Sequence, residues 1–388
     1  MNFETQQFIL EHTNDDVHFL ALQSHRFPQI DMSFALRQIT GRQKIRNKVP
    51  YFFRNPDILY PLQLSIEQSS SELTAQYKAS LIEGESLVDL TGGFGIDCYF
   101  MSLNFIKVIY IEHNKELCEI SKQNFKTLGV KNIQVENMNC EDFLTRDFFA
   151  DVIFIDPARR DFSGNKVVFL SDCEPNVIKL SEDLLQKTNK VLIKTSPMLD
   201  ISSAIKDLQF TEEVHIISVD NECKEILFVL SKTIINDIKI KTINIQKSFH
   251  QIFEYYYNEE INTTVNFCSE LKSYLYEPNS SIMKSGAFKL IAAKFNLMKL
   301  NKNTHLYTSD LLISDFPGRI FHIDSVSGST KQDFKRLKIT KANIAVRNYP
   351  LTVSEFRKKS GISEGGEIYI FACKICYDFN IIIICRKI

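Results

Sequence analysis

Short apolar runs that end in a carboxylate recur along the first 230 residues, and between them apolar positions return at helical spacing. Leu87, Val88 and Leu90 make the first run, with Asp89 at its carboxyl end. Gly92, Gly93 and Gly95 then let the backbone turn tightly before a helix predicted over 96–103. KVIYIE at 107–112 reads as a second strand, 115–128 as a helix and 133–136 as a third strand. DVIFID at 151–156 reads as a fourth strand running directly into Pro157, Ala158 and Arg159. VLIKTSP supplies a fifth, and EEVHIISVD and KEILFVL a closing antiparallel pair. Such alternation predicts a parallel sheet whose ligand lies at the strand carboxyl ends, where Asp89, Glu112, Asn139 and Asp156 fall.

The flanks differ from this core. Residues 1–60 carry apolar positions at helical spacing and no glycine before Gly41, which predicts a small helical cap. Within it, Arg37, Arg42, Lys44, Arg46, Lys48 and Arg54 alternate with Tyr51, Phe52 and Phe53. That mixture suits phosphate contact with base stacking, and equally a solvated helix face. Ser69 and Glu72 have capping-box spacing ahead of a helix that leads to the first strand. After residue 232 the composition turns to isoleucine, asparagine, lysine and tyrosine, which marks a boundary. YLYEPNSSIMKSGAFKLIAAKF reads as a turn then a helix, HLYTSDLLISDFPGRIFHIDSV as two strands, and the tail from Lys331 as helix, strand, helix, strand.

Composition narrows the class. The 388 residues, 44% of them hydrophobic, suffice for two or three cores. With 46 basic against 47 acidic residues the net charge is −1, so nucleic acid could be held only by local patches. Apolar runs fall short of a membrane span, and scattered cysteines without a leader segment point to a reducing cytoplasm. Cys373 and Cys376 form C-x-x-C with Cys385 beyond, but they are read as lying on one strand, where that separation turns the sulfurs to opposite faces. A fourth ligand is missing, and no structural metal is expected.

In order, LTGGFG, IEHN, MNCEDF and DPAR resemble the glycine turn, ribose-binding acid, adenine-side loop and catalytic-side loop of class I S-adenosylmethionine-dependent methyltransferases. The resemblance implies a Rossmann-like seven-stranded sheet and S-adenosylmethionine as cofactor. It implies cofactor contacts from Asp89, Thr91, Gly92, Gly93, Gly95, Glu112, Asn139, Cys140 and Asp156, and from Gln68 and Ser69 (with Ser70) just upstream. Thr91 stands where the family usually has glycine and Asn139 where it usually has aspartate. NAD binding, the neighbouring reading of a glycine turn, does not call for DPAR. Asp156, Pro157, Arg159 and Lys194 are the expected catalytic group, with Asp156 orienting or accepting the acceptor proton.

Uridine C5 methyltransferases use a cysteine after the fifth strand, where this chain has Thr195, Ser196 and Pro197. Lys78, Asp156, Lys194 and Glu225 are similar to the Lys-Asp-Lys-Glu tetrad of ribose 2′-O-methyltransferases, so base methylation is only slightly preferred. KANIAVRNYPL and GGEIYIFA resemble the THUMP-like domain appended to some bacterial methyltransferases, which implies RNA binding, and the tail around them is locally basic. The expected α/β chain has a helical N-terminal cap (1–60), a Rossmann-like methyltransferase domain (61–232), an α+β connecting domain (233–318) and a THUMP-like domain (319–388). Its expected role is methylation of tRNA or rRNA in the cytoplasm, with no membrane partner. A non-catalytic RNA-binding protein and a small-molecule methyltransferase are the alternatives.

Overall fold

The computed structural model of the protein describes residues 3–158, 170–233, 235–327, 334 and 337–388. Arg159, and Lys331, Lys335 and Arg336 of the basic tail, lie outside these residues. The chain divides into two compact units, Met1–Glu212 with Ile226–Ile235, and Glu213–Glu225 with Asn236–Ile388.

The first unit is built on the predicted alternation. Strands β1 (Gly84–Asp89), β2 (Phe105–Glu112), β3 (Ile133–Asn137), β4 (Ala150–Ile155) and β5 (Thr188–Thr195) are joined by β7 (Glu222–Ser231), of which this unit holds Ile226–Ser231. Their order is β3-β2-β1-β4-β5-β7, parallel except that β7 runs antiparallel to β5 from Thr195↔Ile226 to Lys190↔Ser231. Leu87, Val88, Ile153, Ile155, Val191, Leu192 and Ile193 are all buried, the pattern of strands covered on both faces. All five parallel strands point their carboxyl ends to one edge, which places Asp89, Glu112 and the residue after Ile155 together.

The cap is helical, with Phe3–Glu11, Val17–Leu22, Met32–Lys48 and Pro50–Arg54 around a core of Phe8, Ile9, Leu20, Ala35 and Ile39. Asp16 and Asp31 start two of these helices by accepting the N–H groups of Phe19 and Phe34 at 2.9 and 3.1 Å. Most of its basic stretch is engaged inside the unit. Arg37 pairs with Glu116 at 2.6 Å and Lys44 with Glu67 at 3.0 Å. Arg42 is buried and donates to the Phe53 carbonyl at 3.3 Å, and Lys48 donates to the carbonyls of Ile66 and Glu67 at 2.7 and 2.8 Å. Tyr51 stacks on Tyr99 at 5.5 Å and Phe52 is core. Arg54 stays exposed.

Helix Glu72–Ala79 starts one cap later than the sequence suggested: Ser71, not Ser69, accepts the Thr74 N–H, at 3.3 Å. Ser69 is already the C-cap of the preceding helix Gln63–Gln68, and its hydroxyl donates back to the Ile66 carbonyl at 2.8 Å. Glu72 accepts the Tyr51 N–H at 2.7 Å instead of closing a box.

In the second unit, β6 (Thr211–Val219), of which this unit holds Glu213–Val219, turns through Asp220 and Asn221, both at positive φ, into the start of β7. Seven strands were expected up to this hairpin. The unit adds β8 (Lys239–Ile245), parallel to β6, and β9 (His250–Tyr256), antiparallel to β8. A further sheet contains β10 (Tyr274–Pro278), β11 (Met298–Asn301), β12 (Thr304–Ser309), β13 (Gly318–Ser327), β14 (Asn343–Arg347), β15 (Ile368–Lys374) and β16 (Asn380–Lys387), in the order β11-β12-β10-β13-β16-β15-β14. YLYEP is therefore a central strand rather than a turn, fixed by pairing to β12 and β13 on its two sides. Buried Glu277 at the end of β10 accepts Arg319 Nε at 2.8 Å and Arg347 Nη2 at 2.8 Å.

Cys373 and Cys385 are buried with Cys268 in one apolar cluster. Cys376 lies beyond the end of β15, so the opposite-face argument does not apply to the pair; burial, which pushes the Cys373 thiol up to about 12 and the Cys268 thiol up to about 11, keeps both in the thiol form. Among the described residues no helix is long and apolar enough to cross a membrane.

Candidate functional site

The carboxyl edge of the parallel sheet carries the site. Leu90 leaves β1 with its N–H on the Phe154 carbonyl at 3.0 Å, and Gly92 donates to Ile111 at 2.8 Å, so the turn is held by both neighbouring strands. Gly92 has no room for a side chain, since a Cβ would sit 2.1 Å from the Tyr110 ring. Gly93 has φ +56°, and a Cβ there would meet only the Thr91 carbonyl at 3.8 Å, so the turn is open on that side. Gly95 is the left-handed N-cap of helix Ile96–Ser102.

Thr91 gives the turn a second function. Its hydroxyl oxygen accepts the Asp156 N–H at 2.6 Å, joining the turn after β1 to the loop after β4. Glu112, at the end of β2, accepts the N–H groups of Gly93 and Asn114 at 2.9 and 2.7 Å. Oε1 also has His113 Nδ1 at 3.2 Å, whereas Oε2 retains a further lone pair for a hydroxyl donor. Asp89 is buried and accepts the Thr91 N–H at 3.0 Å. Burial raises its pKa well above the usual carboxylate range against that hydrogen bond, and the nearby Asp97, Asp156 and Glu112 charges add to the rise.

Beside the turn lies a chain of alternating charges. Lys78, wholly buried in helix Glu72–Ala79, forms an ion pair with Asp97 Oδ1 at 3.1 Å and donates to Ser70 Oγ at 3.0 Å. Ser70 donates in turn to Asp97 Oδ2 at 2.7 Å. Lys194, at the end of β5, reaches the same Asp97 oxygen at 3.3 Å and Asp156 Oδ2 at 2.5 Å. Exposure rises along the chain, with side chains at 0% for Lys78, 10–11% for Lys194 and Asp97, and 35% for Asp156, so the last carboxylate meets solvent. Burial alone would raise the Asp97 pKa, but the two ammonium groups and Ser70 outweigh it and hold the carboxyl down at about 2.

The structure thus brings together Asp89, Thr91, the three glycines, Glu112, Asp156 and Lys194. Pro157 is buried directly after Asp156, and Arg159 is outside the described residues. Gln68 and Asn139 are exposed; Asn139 contacts Asp142 at 3.4 Å at the start of helix Cys140–Leu144. Cys140 is buried, which pushes its thiol up to about 12. Of the tetrad-like set, Lys78 and Lys194 share Asp97 as their partner, and Glu225 is a buried residue of the second unit. Sequence pattern alone does not single out Asp97 or the linking role of Ser70. Asp97 is visible there as a carboxylate in the first turn of the helix after the glycines, but its partners come from segments 19 and 97 residues away.

Residues 274–317 match the family described as a ferredoxin-like domain, and residues 318–387 the family described as THUMP domain-like. No curated protein matches the sequence. A crystal structure of a candidate methyltransferase from Porphyromonas gingivalis W83 is 30% identical with TM-score 0.89, over 99% of this chain and 97% of that one. A SAM-dependent methyltransferase from Agrobacterium tumefaciens (14% identity, TM-score 0.33, 42% of this chain and 61% of that one) is far more distant. So is an rRNA methylase from Streptococcus thermophilus (14%, TM-score 0.31, 41% and 94%). Together with the sheet order and the site at its carboxyl edge, the full-length likeness means that the chain belongs to the family of the Porphyromonas gingivalis protein, with a class I methyltransferase fold and a C-terminal THUMP-like domain.

Proposed function

We propose that this protein is an S-adenosylmethionine-dependent methyltransferase that modifies RNA, tRNA or rRNA, in the cytoplasm, with a base as the preferred target. The residues present suit that cofactor. Glu112 can accept ribose hydroxyls beside the two N–H groups it already holds, and the open side of Gly93 allows close backbone approach. Asp89 and Thr91 keep that turn in shape. S-adenosylmethionine, when bound, supplies an electrophilic methyl group.

The observation that carries the reading is the Thr91–Asp156 hydrogen bond, which fixes the half-buried Asp156 carboxylate next to the cofactor turn. Methyl transfer depends chiefly on aligning acceptor and methyl group, with one proton to be taken up. Asp156 stands where an acceptor would meet both demands, and Pro157 restricts the backbone directly after it. RNA as the acceptor is supported by the THUMP-like region, where Lys338, Lys341, Lys358 and Lys359 are exposed.

The test is methyl transfer from tritiated S-adenosylmethionine to total RNA from a strain lacking the gene, followed by mass spectrometry of the nucleosides. Label in one RNA class and one nucleoside is expected. Label that enters no RNA while the protein binds the cofactor would overturn the RNA assignment.

A further inference from the structure

The position of Lys194 narrows the class of acceptor, an inference that rests on the methyltransferase reading above. A lysine that deprotonates a hydroxyl must be neutral when the acceptor arrives, which requires surroundings that disfavour its charge. Lys194 has the reverse. Asp156 Oδ2 lies 2.5 Å and Asp97 Oδ2 3.3 Å from its Nζ, and its side chain is 10% exposed, so two carboxylates act on the ammonium with little screening. Lys78, the other cation of the group, sits on the far oxygen of Asp97 and is also held by Ser70. Burial opposes the ionisation of Asp89, and the Asp97 and Asp156 charges add to that opposition.

We propose that Lys194 is a permanent ammonium clamp on Asp156, positioned by Asp97, and that the site therefore methylates a nitrogen of an RNA base rather than a ribose hydroxyl. A base nitrogen offers its lone pair without prior deprotonation. It forms the new N–C bond as the S–C bond breaks, the bonding pair stays on sulfur, and the proton displaced from nitrogen passes to Asp156. In this arrangement Asp156 orients the N–H and receives its proton, Lys194 holds the carboxylate still, and Asp97 is a positioning residue acting through Lys194. Replacing the group by apolar residues of similar volume would commonly cost no stability, so a cluster of buried charges kept at a ligand edge argues for a role in the chemistry.

Two measurements decide the point. In ligand-free protein with isotopically labelled lysine, the Lys194 side-chain resonance, assigned by its loss in Lys194→Arg, should titrate above the ordinary lysine value of about 10.4. Asp97→Asn should lower the proton affinity at least tenfold, and Asp97→Glu should restore most of it. A wild-type midpoint below about 8, or one indifferent to Asp97→Asn, would overturn the clamp. In the second, RNA labelled as above is digested to nucleosides; a methyl group on a base nitrogen supports the proposal, and one on ribose overturns it while leaving an RNA methyltransferase. If no RNA is labelled, the RNA reading fails and the nitrogen acceptor in RNA fails with it, while the lysine titration still decides the clamp.

Discussion

The Thr91 hydroxyl accepts the Asp156 backbone N–H at 2.6 Å, and this one bond ties the glycine turn to the residue that directly follows β4. Thr91→Val keeps the shape and removes the acceptor. A partly buried N–H left without a partner costs about 1–3 kcal/mol, so the urea midpoint should fall accordingly, while Thr91→Ser should stay near wild type. Equal midpoints for valine and serine would show that something other than this bond joins the loops.

Gly93 can be tested on the cofactor directly. Its φ of +56° makes any substitution cost about 1 kcal/mol of stability, yet no atom blocks a Cβ. Gly93→Arg should therefore fold and lose S-adenosylmethionine binding in calorimetry. Unchanged affinity would assign the turn a purely structural role.

Asp156→Ala removes the carboxylate from the open end of the charge chain. Cofactor affinity should stay within a few-fold while methyl transfer falls by ~10² or more. Parallel losses of binding and turnover would move Asp156 to the cofactor side.

Acid stability should separate two neighbouring aspartates by sign. Asp97 has its folded pKa depressed from 3.8 to about 2, so its contribution is complete above about pH 4 and disappears as the pH falls towards 2. Asp89 is raised above 3.8, so its contribution is present below that value and is lost as the pH rises through the folded pKa. Thermal melts from pH 2 to 7 should show a shallower acid limb for Asp97→Asn and no loss, or a gain, at neutral pH for Asp89→Asn. Identical acid limbs for Asp97→Asn and wild type would remove Asp97 from the linkage.

The sequence was legible where one local pattern determined one element. The runs ending at Asp89, Glu112 and Asp156 gave the strands and their shared edge, because parallel strands joined by helices leave little freedom of topology. Asp97 was not legible as a hub, since no spacing rule links Lys78, Asp97 and Lys194. Nor was the fate of the basic cap: the sequence shows the charge of Arg42 and Lys48 but not the carbonyls of Phe53 and Ile66 that absorb it. At Ser69 two cap candidates lay two residues apart, and the end of the preceding helix, invisible in the pattern, decided between them.

Because the cap's cations are mostly engaged, RNA binding should depend on the exposed lysines of the tail. Changing Lys338, Lys341, Lys358 and Lys359 to serine should weaken RNA binding in fluorescence anisotropy. The slope of log affinity against log salt should flatten by ~0.7 for each single-strand phosphate that the variant no longer neutralises. An unchanged slope would point to a different surface, with Arg54 the first residue to test.

Glu277 has a consequence for how this region can be inherited or engineered. It belongs to the segment matched as ferredoxin-like, while its partners Arg319 and Arg347 belong to the segment matched as THUMP-like, and Pro278 pairs with Gly318 across the same border. Grafting 274–317 alone would strand the buried Glu277 carboxylate without its counterions, at a cost of about 3–5 kcal/mol, and bare one edge of β10, while grafting 318–387 alone would leave Arg319 and Arg347 without that carboxylate and bare one edge of β13. The smallest transplantable cassette is thus both segments together, cut before Tyr274 and not at Gly318.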